Sequence, residues 1–313
     1  MDRVKLFLLL LVVVTIVLAE ANPIMNRVKQ FLRRHGSTLL LLSPLVIYMA
    51  LVFAVPVGFQ VAFAFWRREL YKGVLWRPVP AFTLENFVRA FTELEYVKSL
   101  GWTVGVALFT SVVALALALP VAYFLARYKP WGGAFIELSF LLPIFGDIFT
   151  IYALSYAFTP TGPVNWVLMN LGLISEPLRL QQSPAMVIVW MCLPTLMVLL
   201  IRSAIAGVDV MYEEASQVMG ASWLRTFFKV TIPLAKKGIM GALLLTVSSA
   251  VGAYTLPLIL VGPYNIWLAN KITKEVDPYF NYPMASALGV ILTALCAVLM
   301  YLYLRTQEER RAA

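Results

Sequence analysis

The chain has 313 residues, of which 61% are hydrophobic and 13% charged. That is about half the charged share of a typical soluble domain, too little polar surface to cover a fold in water, so several apolar stretches must face lipid. This argues against a soluble enzyme, a secreted disulfide scaffold or a nucleic-acid-binding domain, and the net charge of +9 becomes a question of which loops face the cytoplasm.

Residues 6–19 form a first apolar stretch, between Asp2-Arg3-Val4-Lys5 and Glu20. A basic start, a short apolar core and a polar flank have the form of a signal peptide. Arg27, Lys29, Arg33 and Arg34 follow at once, and placing them outside opposes the positive-inside bias. Three readings stay open for residues 1–24: an extra helix with its N-terminus outside, a surface-lying helix, or a start placed too early. In the last case Met25 opens a basic cytoplasmic region at 25–38.

A bilayer core needs about 20 mostly apolar residues per helix. Six segments meet that length: 39–65, 100–126, 136–158, 185–205, 239–261 and 284–304. Period-2 alternation is absent, so the expected fold is all-α, a polytopic membrane bundle with six core helices and possibly one more at the N-terminus. The six-span body covers 39–304, with a tail at 305–313. With residues 25–38 inside, fourteen Lys and Arg fall inside and nine outside, six of the nine in one long loop. That bias puts both ends of the core in the cytoplasm. In the long outer loop, Phe87, Phe91, Leu94, Tyr96 and Val97 make an apolar stripe behind a Thr83 cap, predicting an amphipathic surface helix. Thr159-Pro160-Thr161-Gly162-Pro163 is a turn cluster, and Val164, Val167, Leu168 and Leu171 follow as a short helix.

The loop between the fourth and fifth spans, residues 206–238, carries the strongest signal. Asp209 is a good N-cap, and Glu213 and Glu214 fall in the early turns, where negative charge suits the helix dipole. Gly220 stands where a C-terminal glycine ends a helix. Ser222 caps a second short helix through Trp223, Phe227 and Phe228, and Pro233 is expected to interrupt the path to the next span. The outcome is two short helices around a glycine corner, with aromatics suited to a protein contact. Phe227 and Phe228 either face that contact or pack the loop on the bundle.

Glu214-Ala215-Ser216, then Gly220, then Val230-Thr231-Ile232-Pro233 resemble the cytoplasmic signature of permease subunits of ATP-binding-cassette importers: Glu-Ala-Ala, three residues, Gly, nine residues, Ile-x-Leu-Pro. Ser216, Val230 and Ile232 depart from it conservatively. Six spans with this loop between the fourth and fifth also match the family. Tyr254-Thr255-Leu256-Pro257-Leu258 is more similar to the polyamine-type branch than to the sugar-type branch.

The resemblance implies a multi-pass subunit of a prokaryotic inner membrane that is not itself an enzyme. It implies coupling to two separate ATPase subunits, which hold ATP and Mg, through Glu213, Glu214, Ala215, Ser216, Gly220, Trp223, Phe227 and Pro233. It also implies a second permease, identical or related, and an external binding protein that delivers a small polar or charged solute. No phosphate-binding G-x-x-x-x-G-K-[ST] motif occurs here, so nucleotide is expected in the partner, and no cofactor or metal on this chain. His35 is the one histidine, and Cys192 and Cys296 read as small apolar residues in their spans.

Asp147, beside Pro143 and Gly146, is the one acidic residue well inside a span, where a carboxylate is costly and functional by default. It faces a cationic substrate, pairs with a neighbouring helix, or sits nearer the outer interface. Tyr152, Trp190, Ser248, Ser249 and Tyr254 are further candidates for the pathway lining. An autonomous carrier or channel is the alternative. It would call for several intramembrane charges or an internal repeat, and neither is visible.

Overall fold

The structure is a computed structural model that describes residues 41–71, 75–128, 130–145, 147–180, 183–262 and 266–312, with side chains except at 70–71, 75–76, 144–145, 147 and 306–312. The expectations for 1–38 lie outside the described residues. Contacts divide the chain into units Met1–Phe59 and Gln60–Ala313. The first contains most of helix α1 (Leu41–Ala64), whose 24 residues are long and apolar enough to cross a membrane.

In the second unit the loop after α1 opens with a two-stranded antiparallel hairpin, β1 (Arg67–Tyr71) and β2 (Leu75–Val79), in register Arg67↔Val79. The sequence reading did not foresee it, because Pro78 marks β2 as a strand that cannot sit inside a sheet. The expected single amphipathic helix is two: α2 (Glu85–Thr92) ends at Glu93, which is extended, and Leu94 begins α3 (Leu94–Tyr128). Of the stripe, Phe91, Leu94 and Val97 are exposed and Tyr96 is buried beside Ala90, while Asn86 also faces the interior. Asn86 explains the choice, since its amide donates to Ala64 O at 2.9 Å and Trp66 O at 2.8 Å, and so satisfies carbonyls where α1 ends. Thr83 accepts the expected bond, from Glu85 N at 3.1 Å.

α3 is the central post. Ser99, Thr103, Ala107, Ser111, Ala114, Ala118, Ala122 and Ala126 are buried at spacings of three or four, a run of small residues that lets neighbouring helices approach closely in lipid. Its later half forms a core with Met197, Val198, Ile201, Ile205, Phe227 and Ile239.

Two expected spans are broken. In place of 136–158 there are α4 (Gly133–Phe145) and α5 (Asp147–Ala157), and the runs Gly133–Pro143 and Ile148–Ala157 meet at 98°. Pro143 supplies no N–H and crowds the preceding turn, and Gly146 follows with poor helix propensity. After α6 (Pro163–Asn170), the segment 185–205 is present as one 23-residue span, Pro184–Ala206, in which a short turn at 192–194 separates α7 (Pro184–Met191) from α8 (Thr195–Ala206). The segment 239–261 ends early at Gly252, where α10 (Trp223–Val251) gives way to α11 (Thr255–Val261); α9 (Val210–Val218) precedes α10.

α12 (Leu268–Val276) and α13 (Tyr282–Ala312) complete the unit, and α13 runs without a break past the expected boundary at 305. α12 is tied to α3 by Leu268 N donating to Thr103 Oγ1 at 2.9 Å and by Tyr96 OH donating to the buried Glu275 at 2.8 Å. Lys271 pairs with Glu95. Asn165, buried on α6, pins the turn below it by exchanging bonds with Leu178 and donating to Thr159 O at 2.8 Å.

Candidate functional site

The corner after α8 forms as its local chemistry dictates. Asp209 is the N-cap of α9, its carboxylate accepting from Met211 N at 3.0 Å. The helix closes in a Schellman motif: Ala221 N donates to Ser216 O at 3.1 Å, and Gly220 N to Gln217 O at 2.9 Å. Gly220 carries the positive φ this needs, +86°. Ser222 then caps α10, accepting from Arg225 N at 3.4 Å.

One expectation is corrected here. α10 is not a second short helix, and Pro233 does not interrupt it; Trp223–Val251 is one run. Its residues Phe227–Thr231 take the wider π form, and Pro233 sits in the first turn of the α-helical stretch that follows. The widened turn absorbs the proline ring and its missing N–H.

The structure divides the predicted corner residues into two sets. Glu214, Ala215, Gly220, Trp223 and Pro233 are exposed, while Glu213, Ser216 and Phe227 point inward. Around the first set lie Met211, Tyr212, Val218, Met219, Leu224 and Phe228, all exposed. Phe227 packs T-shaped on Tyr123 and stacks on Trp223, with ring centroids 5.0 and 5.9 Å apart, so it serves the bundle. Phe228 stays outside.

Glu213, only 4% exposed, has four donated bonds on its carboxylate. Arg127 Nε and Nη2 donate at 3.0 and 2.7 Å, Thr231 OH at 2.8 Å and Tyr123 OH at 3.0 Å. Arg127 Nη2 also donates to Val208 O at 3.0 Å. Ser216 and Thr226 hydroxyls bond at 3.1 Å. The sequence reading missed Arg127, Tyr123, Thr226 and Thr231. Arg127 and Tyr123 stand 86 and 90 residues from Glu213, and only their place at the C-terminal end of a span hinted at a role.

A cavity of about 440 Å³ lies where the two helix breaks meet, lined among others by Trp190, Thr195, Thr246, Ser249, Tyr254 and Thr255. It gathers three predicted lining residues: Trp190, Ser249 and Tyr254. Ser248 and Tyr152 are not among its lining residues; Ser248 O instead accepts from Gly252 N at 3.2 Å, and Tyr152 is exposed on α5. The Asp147 side chain lies outside the described residues. The unwound segments place hydroxyls beside the aromatic side chains of Trp190 and Tyr254 in this lining.

Comparison with known proteins places this geometry. Residues 11–311 match the family of binding-protein-dependent transport system inner membrane components. Spermidine/putrescine transport system permease protein PotB of Escherichia coli (strain K12) is 29% identical over 231 residues, covering 72% of this chain and 83% of that protein. Sulfoquinovosyl glycerol transport system permease protein SmoG of Agrobacterium fabrum (strain C58 / ATCC 33970) is 27% identical over 282 residues, covering 85% and 88%. Among solved structures, a bacterial ABC transporter involved in import of the acidic polysaccharide alginate shares the fold at TM-score 0.59 and 16% identity, over 91% of this chain and 99% of that one. The chain belongs to the family of binding-protein-dependent transport system inner membrane components, the permease subunits of ATP-binding-cassette importers.

Proposed function

We propose that this subunit forms half of a translocation pathway and is driven through the glycine corner by a separate ATPase. A second permease, identical or related, completes the pathway. Two ATPase subunits supply ATP and Mg on the cytoplasmic side, and a binding protein outside delivers a small polar or charged solute. The observation that carries this reading is the corner itself: a short helix, capped at both ends, presents an apolar, aromatic-rimmed face beside Glu214, at the start of an unbroken helix that ends at the cavity. The related alginate transporter has been seen in complex with an alginate pentasaccharide-bound periplasmic protein, which supports an external delivery partner. The basic bias of the corner side supports placing it, with both ends of the core, in the cytoplasm.

Reversing the charge at the corner tests the docking. Glu214 is exposed and no hydrogen bond or ion pair ties it to the bundle among the described residues, so the Glu214→Arg protein should insert normally. Copurification of the ATPase should fall about tenfold, the loss expected when a rim charge is reversed against a complementary groove. Unchanged copurification with unchanged ATP hydrolysis rejects the assignment.

The cavity is read as part of the pathway. Trp190 and Tyr254 offer faces for a sugar ring or an amine, and the hydroxyls of Thr195, Ser249 and Thr255 offer hydrogen bonds. Asp147, one turn of chain before Tyr152, stays a candidate partner for a cationic solute. Labelled spermidine and labelled sulfoquinovosyl glycerol, each presented with its binding protein to membrane vesicles, separate the amine and sugar classes. For whichever is taken up, Trp190→Ala should raise KM about tenfold through loss of an aromatic contact, with the ATPase retained. An unchanged KM removes Trp190 from the pathway.

A further inference from the structure

We propose that the knot around Glu213 is a transmission joint, which makes the corner, α3 and α10 move as one body when the ATPase displaces the corner. The proposal rests on the reading that the corner docks on an ATPase.

The argument starts from how α9 is held. Its buried residues are Glu213 and Ser216, both polar, while its apolar side chains Met211, Tyr212 and Val218 face outward. The helix is therefore attached by directed bonds rather than by an apolar face. Apolar contacts resist separation but tolerate sliding, whereas charge-assisted bonds fix distance and angle together. The bonds converge from three segments. Arg127, near the end of α3, grips Glu213 and the carbonyl of Val208 in the loop leading into α9. Tyr123, one turn earlier on α3, bonds the second carboxylate oxygen and packs T-shaped against the rings of Trp223 and Phe227.

From the other side, Thr231 and Thr226 tie α10 to Glu213 and Ser216. The pair Arg127–Glu213 is 10% and 6% exposed at its side chains, so water does not compete for these bonds. A displacement of the corner is thus delivered to α10, whose far end lines the cavity, and to α3, the post against which the other helices pack. Removing the pair leaves α9 joined to the bundle by its two chain ends and the Ser216–Thr226 bond.

The test uses the complete importer in lipid, with spin labels on Gln217 of α9 and Leu108 of α3, both exposed. Distances are read without nucleotide and after ADP–vanadate trapping. In the native knot the distance should hold constant to within about 2 Å, the scale of helix shifts in such transitions. The variant Arg127→Met with Glu213→Leu replaces the pair by apolar residues and keeps the interior filled. It should retain the ATPase, but its distance should shift by more than that amount on trapping, or its spread should double. The single variant Glu213→Gln, which keeps an acceptor oxygen for Tyr123 or Thr231, should fall between. A native distance that changes on trapping overturns the proposal, as does a double variant that behaves like the native protein or loses the ATPase. Absence of the ATPase from the native complex instead overturns the docking reading.

Discussion

Glu213→Leu should destabilise the protein by about 3–5 kcal/mol, the cost of leaving one partner of a buried ion pair uncompensated. The carboxylate accepts from Arg127, Tyr123 and Thr231. Leucine leaves the Arg127 guanidinium, 10% exposed, with Val208 O as its one remaining acceptor in this group. Two hydroxyls also lose their acceptor, and each buried unsatisfied group adds about 1–3 kcal/mol in the worst case. The measurement is the midpoint of thermal inactivation in detergent, followed by the fraction eluting as a monodisperse species. The diagnostic comparison is the double variant Glu213→Leu with Arg127→Met. Because replacing both members of a buried pair by apolar side chains is often close to neutral, the double variant should recover most of the loss. A double variant no more stable than the single one shows that the interior depends on the hydroxyls and not on the pair.

That comparison also marks where sequence reasoning reaches its limit. Asp209, Gly220 and Ser222 were legible because each answers a local demand: an orphan N–H at a helix start, or a positive φ at a helix end, met within four residues of chain. The partners of Glu213 were not, because Arg127 and Tyr123 meet it only through packing of helices far apart in sequence. Local signals predicted a reasonable but incomplete role for Glu213, since its carboxylate does stand near a helix N-terminus but is held by side chains of α3 and α10.

The same contrast explains the spans. Apolar length locates residues that belong in lipid, and the segments around 100–126 and 284–304 are helical as expected. Length says nothing about continuity. Leu193-Pro194 loosens Pro184–Ala206 without ending it as a span, Gly252 ends another, and Pro143 stands at the bend of a third. Pro233, which reads as a breaker in isolation, is accommodated because the preceding turn widens. The stripe Phe91, Leu94 and Val97 was likewise real and stays exposed, while Asn86 had carbonyls to satisfy and drew its side of α2 inward.

Gly220→Val is the change expected to separate shape from stability most sharply. A Cβ built on Gly220 meets nothing within 4 Å, so crowding by neighbours contributes nothing. The cost comes from the backbone at φ +86°, where a β-branched residue is strained by about 1–3 kcal/mol. The corner has two ways to relieve it. It can keep the Schellman bonds and carry the strain, or it can unwind Gln217 to Ala221 and move Glu214 and Met219 out of place. The site is exposed, so insertion and thermal midpoint should change little. ATPase copurification should drop about tenfold, equivalent to about 1.4 kcal/mol of docking free energy. Gly220→Asn supplies the control, because asparagine tolerates the left-handed region better than other side chains. It should retain most of the binding. Equal loss in both variants would mean that the groove excludes any side chain at this position, and equal retention would mean that the corner does not need its left-handed turn.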